Sequence, residues 1–121
     1  MMKSAHVASV LAVALFWALP TRAEAIKPED AARHVGETVV VQGMVAGVGH
    51  SQRSNTTFIN FCKPYPDQCF AALIFSRARL LFEDPQHWAG ERILVAGKVN
   101  LYRGKPEIIL EQPAQVRVVR Q

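Results

Sequence analysis

Gly36-Glu37-Thr38-Val39-Val40-Val41-Gln42-Gly43-Met44-Val45 returns fifty-four positions later as Gly90-Glu91-Arg92-Ile93-Leu94-Val95-Ala96-Gly97-Lys98-Val99. Each copy is preceded at the same distance by an aspartate, Asp30 or Asp84. Both runs are apolar and β-branched, so both read as strands. A glycine inside such a run predicts a bulge or tight bend rather than an end of the strand. Two bent strands in one small domain point to a sheet that curls into a closed barrel.

Pro28 to Val35, ahead of the first copy, predicts a short helix. Proline suits its first turn, Glu29 and Asp30 sit at the positive end, and Gly36 can close it. Strand one is expected from Glu37 to about Val48, bent near Gly43 and Gly47. Gly49 to Asn55 is polar and rich in breakers, hence a loop. Thr56–Phe61 and Phe70–Phe75 read as strands two and three of an antiparallel hairpin. Ser76 can cap a helix through Phe82, with Ala78, Leu81 and Phe82 on one face. Asp84 and Pro85 start a further turn through Trp88. Strand four is expected from Arg92 to Leu101, a tight turn at Tyr102-Arg103-Gly104-Lys105, and strand five from Pro106 to Leu110. Gln115 to Val119 partly alternates, to pair along a sheet edge or extend the fifth strand.

The order is β-β-β-α-β-β with a short helix in front. This all-β order is that of the five-stranded Greek-key OB-fold, in which strands one and four are long, curved neighbours. The chain also resembles a family. Ile26, Asp30-Ala31, His34-Val35-Gly36, the Val39–Gly43 strand, Thr57–Phe61, Tyr65-Pro66, Phe70 and Tyr102-Arg103-Gly104-Lys105-Pro106-Glu107-Ile108-Ile109-Leu110 look like the small exported bacterial OB-fold modules of the nucleic-acid-binding type. The similarity spans nearly all of residues 26–121. It implies an OB barrel and a binding role, and its Y-x-G-x-P-E-I-x-L segment marks the module rather than a ligand. The two cysteines depart from that pattern.

Residues 1–25 carry a different signal. Lys3 gives a basic start, Val7 to Leu19 is an apolar run of thirteen, Pro20 interrupts it, and Ala23-Glu24-Ala25 offers a small-x-small cleavage site. This is the layout of a secretory leader, and the run is short for a membrane span; an uncleaved anchor is the other reading. Cleavage after Ala25 leaves one domain of 96 residues, 26–121. Removing Lys3, Arg22 and Glu24 from 14 basic and 10 acidic residues leaves twelve and nine, a mild net charge of +3. Such an excess permits an anionic partner without requiring one. The expected location is periplasmic or secreted, with no membrane partner once the leader is gone. Nothing in the chain specifies an oligomeric state.

Export decides how the cysteines read. Cys62 and Cys69 flank Lys63-Pro64-Tyr65-Pro66-Asp67-Gln68, and in an oxidising compartment such a pair predicts a disulfide. Closing so short a loop stabilises by roughly 2–3 kcal/mol. Two thiols without CxxC spacing or an adjacent histidine argue against a metal site or a catalytic thiol.

Catalysis finds no support. HExxH, GxSxG and phosphate-cradling glycine loops are absent, and the carboxylates are scattered. Glu29, Asp30 and Asp84 have helix-end explanations, and Glu107 reads as a structural hydrogen bond or ion pair. His34, His50 and His87 are not spaced as metal ligands. The expectation is no catalytic residue, no metal and no cofactor.

Binding fares better. OB barrels present the face of strands two and three, flanked by the loops between strands one and two and between four and five. Here those loops hold Arg53, Arg103 and Lys105 for phosphates, and Tyr102 for stacking. Phe58 and Asn60 alternate onto one side of strand two, either the ligand face or the core. Single-strand binders combine a cationic track with aromatic platforms. The plain alternative is that Phe58 is core, Tyr102 packs beside its turn, and the loop cations are solvated and guard an edge. The leading expectation is single-stranded nucleic acid or another anionic polymer. Its rivals are a periplasmic protein-interaction or scaffold role and oligosaccharide binding, since fold alone does not choose.

Overall fold

The two echoed segments are each other's partners. In the computed structural model, which describes residues 24–120, β1 (Thr38–Ser51) and β4 (Arg92–Tyr102) pair antiparallel, Thr38 opposite Lys98 through Met44 opposite Arg92. Val41 faces Val95 at the centre; Gly43 faces Ile93 and, symmetrically, Gly97 faces Val39. The repeat therefore generates a local two-fold relation between β1 and β4.

β1 then changes partner. From Val45 to Ser51 it pairs antiparallel with β2 (Thr56–Phe61), and the register slips between Val45 and Gly47. The irregularity falls there and not at Gly43, where the register is continuous. Gly43 answers a different need: a Cβ at this position would collide with the Pro28 ring and press on Phe61. Gly97 likewise makes room for a neighbour, since a Cβ would stand 2.6 Å from Ile108 Cγ2. Both echoed glycines thus mark close approach, while the register slip of β1 falls between Val45 and Gly47.

β2 pairs antiparallel with β3 (Phe70–Ile74), β3 parallel with β5 (Lys105–Ile109), and β5 antiparallel with β4. With the β1–β4 pairing the sheet closes on itself, as in the OB barrel. A short sixth strand, β6 (Val116–Val118), lies antiparallel against Ile93–Val95 of β4, so the C-terminal run takes the edge position. The helical stretches Pro28–His34, Ser76–Leu81, Pro85–Trp88 and Pro113–Gln115 are all 3-10 rather than α. Ser76–Leu81 is six residues long with no side-chain cap, too short to repay α-helix nucleation. Residues 1–23, which carry nearly all of the leader reading, lie outside the described ones.

Alternation fills the barrel. Ile59 and Phe61 of β2, Phe70, Ala72 and Ile74 of β3, and Val95, Val99 and Ile108 across β4 and β5 are wholly buried. Phe61 stands opposite Phe70 with ring centroids 5.2 Å apart. Ala31 and Ala78 from the 3-10 segments, and Phe82 directly after Ser76–Leu81, join this core. Because odd positions of β2 point inward, Thr56, Phe58 and Asn60 point to the outer face.

Candidate functional site

Register places a row of side chains on that outer face. Gly49, Phe58, Leu73 and Ile109 stand side by side across β1, β2, β3 and β5. The next row is Gly47, Asn60, Ala71, Glu107 and Asn100. β1 contributes only glycines, and a Cβ on Gly49 would meet nothing within 4 Å. A hollow of about 460 Å³ opens here, lined by Gly49, His50, Ser51, Phe58, Asn60 and Tyr65. Its volume falls in the range of small-ligand sites, roughly 300–1,000 Å³.

Phe58 is half-buried on this face and takes no part in the inner core, which settles the side it occupies. Asn60 is 3% exposed, and its Oδ1 is buried with no hydrogen-bond partner. Tyr65 reaches the hollow from the loop between β2 and β3. Cys62 and Cys69 are joined there in a disulfide, with Cα atoms 5.7 Å apart. The Phe61 carbonyl accepts from Lys63 N at 2.8 Å and Cys69 N at 3.2 Å, the Tyr65–Pro66 peptide is cis, and Tyr65 remains largely exposed. Pro64 lies over Gly47, with 3.8 Å from its Cβ to the position a Cβ on Gly47 would take.

The β4–β5 turn ties into the same loop. Arg103 (φ 51°) and Gly104 (φ 81°) are both left-handed, as a two-residue type I′ hairpin requires. The Lys105 ammonium donates to Gln68 O at 2.7 Å and Pro66 O at 3.2 Å. Lys105 is thus engaged in holding the loop, which the reading of it as a phosphate ligand did not foresee. Tyr102 is exposed, with the Arg103 guanidinium over its ring at 5.2 Å. Arg53 is exposed at the opposite end of β2, beyond the turn where His50 Nε2 and Asn55 Oδ1 lie 2.7 Å apart. Six residues of strand separate the two ends, roughly 20 Å at the usual rise. Arg53 and Arg103 therefore bracket the face instead of converging.

Glu107 departs from expectation. Among the described residues no hydrogen bond or ion pair holds its side chain. It stands on the outer face, half-buried, and burial raises its carboxyl pKa above the ordinary value. Sequence reasoning also missed Tyr65 as part of the site; only the short cross-linked loop beside strand two could have suggested it.

No protein-family model matches the chain, and no curated protein matches it. Solved structures do, and they are OB-fold proteins. RecG bound to a three-way DNA junction aligns with 84% of this chain and 13% of its own, at 19% identity and TM-score 0.56. The aspartyl-tRNA synthetase of Entamoeba histolytica aligns with 84% of this chain and 23% of its own, at 16% identity and TM-score 0.55. The OBody AM3L15 bound to hen egg-white lysozyme aligns with 84% of this chain and 97% of its own, at 16% identity and TM-score 0.59. This chain therefore spans less than a quarter of the synthetase and of RecG, and nearly all of the OBody. At these identities the likeness establishes the OB-fold.

Proposed function

We propose that this chain is a non-catalytic binding protein that takes single-stranded nucleic acid across the outer face of its barrel. One observation carries the reading: Phe58 and Tyr65, two aromatic side chains, wall one open hollow on the β1–β2 face. Stacked bases gain roughly 1–3 kcal/mol each on such platforms and do so without sequence preference. Arg53 and Arg103 at the two ends supply the cations that a strand lying along the face would neutralise. The disulfide supports placement in an oxidising compartment, where imported or extracellular strands are the available ligand.

Fluorescence anisotropy with a labelled single-stranded oligonucleotide and its duplex at low salt tests this. Preference for the single strand is the expected result, and no binding of either removes the reading.

A second reading has its own support. Leu80 is 94% exposed and Leu81 59% exposed on the Ser76–Leu81 segment, away from the hollow. Isolated apolar side chains need no explanation, but an adjacent exposed pair suits a protein partner. Failure of oligonucleotide binding together with capture of a partner that Leu80→Ser/Leu81→Ser abolishes would favour it.

A further inference from the structure

Asn60 is the anomaly of the outer face. Its neighbours across the sheet are Gly47 and Ala71, too small to reach it, and the cross-linked loop lies over that end. The side chain is almost fully shielded from water, yet its Oδ1 accepts no hydrogen bond from the protein. A buried acceptor left unpaired costs roughly 1–3 kcal/mol, and a hydrophobic residue there would avoid that cost. Phe58, one pleat away on the same face, and Tyr65 from the loop flank the opening onto which Asn60 looks.

We infer that Asn60 is a specificity-determining residue: a nucleobase enters the hollow edge-on, the Asn60 amide turns toward it, and Oδ1, sealed from solvent in the free chain, accepts from the imino N–H of that base. The inference rests on the nucleic-acid reading above and deepens it. Phe58 and Tyr65 supply sequence-tolerant stacking, and Asn60 adds a requirement for a donor. Removing that one donor leaves the buried acceptor unpaired again, a discrimination of about five- to 150-fold, or roughly 1–3 kcal/mol. A site built around a buried acceptor rejects an isosteric ligand that lacks the donor more strongly than an apolar pocket does. Glu107, two strands away in the same row, is a second acceptor on this face and reinforces the bias toward donor-bearing edges.

The experiment compares oligothymidylate with the same strand methylated at every thymine N3, which removes the imino proton and keeps charge, backbone and ring. Wild-type protein should bind the methylated strand at least about ten-fold more weakly. Asn60→Leu should bind both strands alike, at the weaker level, and unfold at higher urea than wild type because the orphaned oxygen is gone. Asn60→Ala serves as a smaller replacement and should also lose the discrimination. Equal wild-type affinity for the two strands overturns the inference while leaving the nucleic-acid reading intact. Discrimination retained in both variants overturns it as well, as does Asn60→Leu unfolding at lower urea with unchanged ligand preference, the mark of a structural amide. Binding of neither strand by wild type refutes the parent reading and this inference with it.

Discussion

The ammonium of Lys105 donates a 2.7 Å hydrogen bond to the backbone carbonyl of Gln68, thirty-seven residues away in sequence. With its second bond to Pro66 O, it joins the β4–β5 turn to the disulfide loop that carries Tyr65. Charged hydrogen bonds are worth roughly 1.5–3 kcal/mol when shielded, less where solvent competes. Lys105→Met, which keeps the aliphatic stem, should therefore destabilise by about 1–2 kcal/mol in urea unfolding. It should also weaken oligonucleotide binding without altering its salt dependence, because the loss is of loop order and not of a phosphate contact. A flatter salt slope in this variant would return Lys105 to the ligand.

Arg53 and Arg103 carry the opposite expectation. If each neutralises one phosphate, the logarithmic salt slope for a single strand is about −1.4, roughly a seven-fold loss between 50 and 200 mM salt. Arg53→Glu/Arg103→Glu should abolish most of that dependence.

Arg103 alone separates fold from function. It holds a left-handed backbone that glycine or asparagine adopts more readily, and Asn-Gly is the favoured pair for this turn. Arg103→Asn should raise stability by about 1 kcal/mol, read by thermal unfolding, while lowering affinity. A drop in stability would mean that the guanidinium stacked on Tyr102 outweighs the backbone cost.

Glu107 gives a pH signature. Burial raises its carboxyl in the folded chain, so the native state holds the proton more tightly than the unfolded one. Stability then falls as pH rises from the ordinary glutamate range through the raised value. Glu107→Gln should be more stable than wild type at neutral pH, with the difference vanishing in acid below both values. The same variant should bind a polyanion more tightly at pH 7, and an unchanged pH profile would mean the carboxyl is solvated.

Gly49 tests the hollow directly. A side chain there meets open space and would occupy the cavity beside Phe58. Gly49→Val should leave folding unharmed or improve it by about 0.5–1 kcal/mol, since glycine weakens a strand, and should abolish binding. Retained affinity would move the ligand elsewhere on the barrel.

The strand order was legible because β-branched runs and glycine-bearing turns report local geometry. Thr56–Phe61 is legible to the residue, and the OB-fold order makes the two echoed strands neighbours, as the β1–β4 pairing shows. Faces were harder. A period of two places Phe58 with Asn60 but does not say inside or outside; Ile59 and Phe61 decide that only once the barrel closes around them. The hold of Lys105 on Pro66 O and Gln68 O was not legible, because it depends on the reach of a long side chain to a loop far away in sequence. Tyr65 carries part of the resemblance, but its place beside the hollow is a tertiary matter set by the path of the cross-linked loop. The 3-10 form of the helical segments follows from their shortness, which side-chain patterning does not weigh.

The two-fold relation centred on Val41 and Val95 has a kinetic cost. Each of these ribbons resembles its own mate, so each is also a plausible mate for its twin in another molecule. Folding is then a race between closure within one chain and exchange between chains, decided by concentration. Renaturation across a concentration series, read by size-exclusion chromatography, checks this: a dimer fraction that climbs with concentration is the expected outcome, and monomer at every concentration would sink it.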